Sequence, residues 1–211
     1  MKRKCMALLL VISLVLLMQT KTAYAYDPDY YGSGNYASSA PYTPISGLRF
    51  YADYYAINEF DSGLLTAGFD WNGDYQANVA AIAQYPAPAS AYPNYFTITV
   101  ENMLLRSTYG NTLFYDSNGN LINAQTDNPM NASGIYRCQI NLNVASSFPN
   151  NVEKRRTIVH ETGHVFLLVH PADSYISSVM HQGHAGDLPN HNVTATVTDN
   201  DKRNLKIKWG R

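Results

Sequence analysis

Cysteine is scarce in this sequence. There are two, Cys5 and Cys138, so a disulfide framework of the kind that staples small secreted domains is excluded. Long apolar runs are also missing, apart from Ala7 to Met18 near the N-terminus. That stretch is short for a membrane span. Positive charge is not in excess. Lys and Arg number 15 against 16 Asp and Glu. Lys2, Arg3, Lys4 and Lys21 are the basic residues of the first 25, which hold no acidic residue, so the rest of the chain carries a formal charge of −5. This argues against a general nucleic-acid binder. No internal repeat is visible. Glutamate does not recur after Glu161.

The N-terminal segment reads as a secretory signal. Lys2, Arg3 and Lys4 form a charged n-region, Ala7 to Met18 an apolar h-region, and Ala23-Tyr24-Ala25 a small-x-small cleavage pattern. The expectation is a signal peptide over 1–25, a secreted product and no membrane association after cleavage. Residues 26–46 are rich in Tyr, Ser, Gly and Pro and read as a linker, short propeptide or loosely docked arm. Residues 47–211 are long enough for one domain with its own core.

Within that domain, 48–57 reads as a strand. Residues 58–70 read as a helix, with Phe60, Leu64, Leu65 and Phe69 at helical spacing. Strands are expected over 79–85, 95–100, 112–115 and 136–143, the last alternating cleanly with Cys138, Ile140 and Leu142 on its apolar side. Cys138 should therefore be buried. Asp116, Asn118 and Asn120 mimic the start of a calcium loop, but the Gly is misplaced and the closing Glu is missing. The sequence reads as a turn there and supports no calcium site. Asn150 is placed to cap a helix, with Glu153 three residues on. Gly163 inside that helix is expected to let it approach the sheet. The element order implies an α+β fold, a mixed sheet carrying two helices.

Chemistry concentrates in one place. All six histidines lie between His160 and His191. His160-Glu161-Thr162-Gly163-His164 is an H-E-x-x-H sequence. On a helix its two histidines are about 40° apart around the axis and roughly 6 Å apart along it, so both imidazoles can meet one metal ion. Glu161, beside the first of them, is placed as general base toward a metal-activated water.

From His160 to His170, with Ser178-Val179-Met180 downstream, the chain resembles the metzincin clan of zinc metalloproteases, in particular its small matrixin-like members. The resemblance extends to Thr198-Asp199-Asn200-Asp201, Leu205 and Trp209-Gly210, which look like the clan's last helix. It implies a zincin-like mixed β-sheet with an active-site helix, and a small C-terminal subdomain with a Met-turn at Met180. It also implies one catalytic Zn2+ on His160, His164 and His170, and a protein or peptide substrate. Other third ligands are Asp173, Asp187, His181 and His184. A thermolysin-like set needs a later Glu and is excluded. His181, His184 and His191 read as solvent-facing loop histidines. Lys202, Arg203, Lys206 and Lys208 read as a solvated helix face.

One departure from the clan is Leu167, where the clan has Gly. A helix continued through it would carry His170 about 9 Å beyond His164 along the axis. The helix is therefore expected to stop between Val165 and Val169. A left-handed residue there costs roughly 1–2 kcal/mol. Two other functions fit the same sequence: a non-catalytic secreted domain that keeps the fold and binds metal or protein, and a zinc hydrolase of non-peptide amides.

Overall fold

The alternation of Arg137–Asn143 builds the middle of a sheet. In the computed structural model this strand, β6, buries Cys138, Ile140 and Leu142 completely. The structure describes residues 35–36, 50–52, 54–60, 62–71, 96–101, 108–122, 133–143, 148–183 and 193–209. β6 has a parallel neighbour, β3 (Phe96–Glu101), on one side, and an antiparallel one, β4 (Gly110–Tyr115), on the other. β2 (Phe50–Ala52) adds in parallel to β3, giving the order β2-β3-β6-β4. A second, two-stranded sheet pairs β1 (Asn35–Tyr36) in parallel with β5 (Ser133–Ile135). The fold is thus a mixed α/β arrangement.

The two faces of β6 differ. In the antiparallel register Gly110, Thr112 and Phe114 stand opposite Leu142, Ile140 and Cys138, so all six share one face. The other face carries amides, of which Asn141 and Asn143 are buried and Gln139 half-buried. Gln139 donates to the Asn141 side chain at 2.6 Å, Asn141 donates to Asn111 at 3.1 Å, and Asn143 donates to the Thr108 carbonyl at 2.6 Å. Burial of these polar groups is tolerated because each has a partner.

Beyond β4 the chain turns at Asp116–Asn120. The Asp116 carboxylate accepts from the amides of Asn118 and Asn120, both at 2.8 Å, and from the Asn120 side chain at 3.0 Å. Gly119 takes the positive φ of 82° that the turn requires. These bonds hold the Asp116 carboxyl below the usual carboxylate range, the Asn120 side chain having the largest effect.

Before the sheet, the structure corrects the sequence reading. Among the described residues of 48–57, Phe50–Ala52 is strand and 54–57 is not. From Tyr54 the chain is helical, in α1 (Tyr54–Phe60) and α2 (Ser62–Leu65), then a 3₁₀ segment (Thr66–Trp71). Ala56 and Phe60, one turn apart, are the buried pair of α1. The aromatic density that suggests a strand is instead a helix exposing Tyr54 and Tyr55. The expected strand at 79–85, the signal segment 1–25 and most of the linker lie outside the described residues.

The long helix α3 (Asn151–Val165) lies between the sheet and the 3₁₀ segment. It starts as the sequence predicts, with the Asn150 side chain accepting from the Glu153 amide at 3.0 Å. Arg156 through Val165 are all buried, so this helix is a core element, not an amphipathic surface one. Trp71 ties it to the 3₁₀ segment by donating to the Val159 carbonyl at 2.8 Å. Arg155 and Asp70 form a partly exposed ion pair between the same two elements, contributing about 1 kcal/mol or less. No helix among the described residues is long and apolar enough to cross a membrane.

Candidate metal centre

His160, Glu161 and His164 all come from the buried second half of α3. Where α3 stops decides whether His170 can join them. It stops at Leu167, which adopts φ 63°. The Leu167 amide donates to the His164 carbonyl at 2.8 Å and the Leu168 amide to the Gly163 carbonyl at 3.1 Å. That pair of bonds is the Schellman helix stop, here with Leu at the position usually held by Gly. Trp209, from the last helix, donates to the Phe166 carbonyl at 3.0 Å and covers the same helix end. Leu167 is fully buried. Its side chain is held in the core while its backbone makes the left-handed turn.

After this turn His170 faces back toward α3. Its Nε2 lies 3.2 Å from Nε2 of His160 and 3.1 Å from Nε2 of His164, and those two are 3.2 Å from each other. Four tetrahedral ligands at about 2.0–2.1 Å from zinc would be about 3.3–3.4 Å apart, so the observed triangle fits a metal ion. The outer bonds point the same way. Nδ1 of His160 faces the Val179 carbonyl at 2.8 Å, and Nδ1 of His164 faces the Leu168 carbonyl at 2.8 Å. A carbonyl only accepts, so each Nδ1 carries the proton and each Nε2 of the neutral ring presents its lone pair. Converging lone pairs repel unless a cation lies between them. Burial holds His160 well below the ordinary histidine range and His170 down at about 3, neighbouring positive charge adding to the effect. Neutral rings are what metal ligation needs. The three histidines can hold a metal ion.

Glu161 is buried next to this cluster. Burial pushes its carboxyl up to about 7, against the opposing pull of the Thr112 hydroxyl and the Arg156 charge. Thr112, on β4, donates to Oε2 of Glu161 at 2.8 Å and lies 3.0 Å from its backbone carbonyl.

The turn at Met180 packs against α3 at Gly163. Gly163 shows how close it comes. A Cβ at position 163 would be 2.2 Å from Met180 Sδ and 2.8 Å from Trp71 Cζ2. The sequence reading assigned this glycine to a close approach of helix and sheet. The structure places the close approach at Met180 and Trp71 instead. Two charged residues fix the turn. Asp201 accepts from the Ser178 hydroxyl, from the Val179 amide at 3.1 Å and from the Thr198 amide at 2.8 Å. It thereby joins the turn to the N-terminus of α4 (Asp199–Trp209), which Thr198 and Asp201 cap together. From the other side, buried Arg156 donates to the carbonyl of His181. Because the Val179 carbonyl faces His160, Asp201 reaches that histidine at one remove, while Arg156 holds the turn two residues further on.

The alternative ligands separate from the cluster. His181 is not solvent-facing as the sequence suggests. It is buried, with Nε2 2.5 Å from the Ile176 carbonyl, and it lies outside the metal group. Its ring is occupied in closing the loop before the turn. Asp173 is used by the Tyr175 amide at 2.9 Å. Tyr175 itself is exposed. His184, His191 and Asp187 lie outside the described residues. Of the basic cluster, Arg203 and Lys206 are exposed, and Lys202 pairs with Asp199 at 2.8 Å. Thr112 and Arg156 escaped the sequence reading. Asp201 enters the sequence reading only within Thr198-Asp199-Asn200-Asp201, which resembles part of the clan's last helix. The Thr-x-x-Asp capping pattern was its one available signal. Compared with protein-family models and with curated proteins, the chain matches none.

Proposed function

We propose that this protein is a secreted zinc-dependent endopeptidase with a zincin-like fold of the metzincin type. The observation that carries the proposal is the triangle of three Nε2 atoms at 3.1–3.2 Å beside the buried carboxyl of Glu161. Three imidazoles suit zinc among divalent metals, and a three-protein-ligand set is that of catalytic zinc. Zinc bound there supplies Lewis acidity toward a carbonyl oxygen and lowers the pKa of water toward about 7.

The chain's own residues do the remaining work. His160 and His164 are oriented by the Val179 and Leu168 carbonyls. Glu161, with its carboxyl near neutrality, is suited to accept a proton from the attacking water and return it to the departing amine. The outward edge of β4 runs past Glu161, where an extended peptide can pair with it. Export rests on the order of n-region, h-region and Ala23-Tyr24-Ala25.

The test combines zinc content with cleavage of a mixed protein substrate, in wild type and Glu161→Gln. The expected result is one zinc per chain in both, with activity abolished by chelation in the first and reduced by about three or more orders of magnitude in the second. Zinc binding without cleavage would favour a non-catalytic binding domain. Cleavage of small amides but not of proteins would favour a hydrolase of non-peptide substrates. Equal activity in the two proteins would remove Glu161 from its role.

A further inference from the structure

The geometry points to Thr112 as a positioning residue for Glu161, an inference whose kinetic consequence rests on the peptidase reading above. A glutamate side chain turns about three bonds, and fixing such a chain costs rotamer freedom. A base that must meet one proton at one place needs that cost met in advance. The Thr112 hydroxyl is the group positioned to do so. It lies 2.8 Å from Oε2 and 3.0 Å from the backbone carbonyl of the same residue. One hydroxyl thus brackets both ends of Glu161. It carries a single proton, and the ionised carboxylate, at the shorter distance, is the stronger acceptor. Oε2 is then committed to Thr112, and the proton-accepting role falls to Oε1.

A second observation shows why β4 can do this. A Cβ at Gly110 would lie 3.1 Å from Cγ of Glu161 and 3.0 Å from Cγ2 of Thr157. Gly110 and Thr112 are two residues apart on one face of β4. The bare glycine lets the strand settle against α3, and that approach brings the hydroxyl within hydrogen-bonding distance of the carboxylate. β4 is antiparallel to β6 and held to it along its whole length, Gly110 to Tyr115. The hydroxyl is therefore mounted on the sheet, while the carboxylate it holds belongs to the helix.

The test compares zinc-loaded wild type, Thr112→Val, Thr112→Ser and Glu161→Gln by zinc content, crystal structure and steady-state kinetics on one peptide. Valine keeps the shape and β-propensity of threonine and removes the hydroxyl; serine restores it. The expected result is full zinc content in all four. In Thr112→Val the Glu161 carboxylate leaves its wild-type position, kcat falls about tenfold or more, and KM changes less than about threefold. Thr112→Ser recovers both carboxylate position and kcat. A Thr112→Val protein with Glu161 unmoved and kcat unchanged overturns the inference. So does one whose lost activity follows lost zinc, since that is a structural role. If wild type does not cleave peptides at all, the peptidase reading fails, and the carboxylate position in the Val and Ser variants still decides the role of Thr112.

Discussion

His170 and His181 stand on either side of the same loop and are both withdrawn from solvent to some degree, yet their environments assign them different work. His170 completes the Nε2 triangle, whereas the His181 ring is bound to the Ile176 carbonyl. His170→Ala should weaken zinc binding by more than about a hundredfold, since loss of an outer partner alone typically costs ten- to a hundredfold. His181→Ala should leave affinity within about tenfold and lower stability by about 1–3 kcal/mol through the lost buried bond. Competition with a chelator of known affinity measures the first, and denaturant unfolding the second. Equal zinc loss in both variants would break the ligand assignment. The three-histidine group was legible in the sequence because two of its members are four residues apart on one helix, and the third follows at a spacing that resembles that of metzincins. Thr112 was not, because its hydrogen bond to Glu161 spans 49 residues. A threonine in a strand looks the same whether it faces water or a carboxylate. His181 was misread for the complementary reason. Its neighbourhood is set by Arg156, 25 residues away, which donates to the His181 carbonyl.

The elements were legible where their periodicity is local. Arg137–Asn143 alternates and is a strand, and Asn150 caps the helix it precedes. Of the described residues of 48–57, 50–52 are strand as expected and 54–57 are helix, since a run of tyrosines suits a strand and an exposed helix face equally well. The end of α3 was inferable from the demand that His170 return, and Leu167 does make the left-handed turn. What the sequence did not reveal was the burial of Leu167, and that decides the effect of replacing it. Leu167→Gly relieves roughly 1–2 kcal/mol of backbone cost. Emptying a fully buried leucine site loses at least the 2–5 kcal/mol of a large-to-small core change. The packing loss wins, and the variant should be less stable by about 1–3 kcal/mol in denaturant unfolding. A gain in stability would mean that the leucine side chain contributes little to the core. Gly163→Ala should behave in the same direction. Alanine is better than glycine in a helix by about 1 kcal/mol, but its methyl would meet Met180 and Trp71 at 2.2 and 2.8 Å. Overpacking of that kind costs about 1–3 kcal/mol. The variant should lose stability and bind zinc more weakly, because the displaced turn carries the Val179 carbonyl that orients His160.

At the scale of the whole molecule, the buried titratable groups couple folding to pH. Glu161 titrates near 7 in the folded chain against an ordinary 4.5, because burial disfavours its charge. Its contribution to stability is present below 4.5 and is lost as pH rises through about 7. His170, held near 3 by burial and by neighbouring charge, acts in the opposite sense. Its contribution is present above 6.5 and is lost as pH falls toward 3. Zinc-free Glu161→Gln should therefore gain stability relative to zinc-free wild type, and the gain should grow from pH 5 to pH 8. Urea unfolding at a series of pH values reads this directly; a pH-independent difference would show that Glu161 keeps its ordinary affinity for protons. The packing of Met180 has a further consequence, for the history of the molecule. Its sulfur occupies space that exists only because residue 163 has no side chain, and it is almost sealed from solvent. Folded chains should resist peroxide there. An unfolded chain would be oxidised freely, and the added sulfoxide oxygen would find no room when the turn closes again. One episode of unfolding under oxidising conditions would then be recorded, until the sulfoxide is reduced, as a chain that regains its sheet but not the packed turn at Met180.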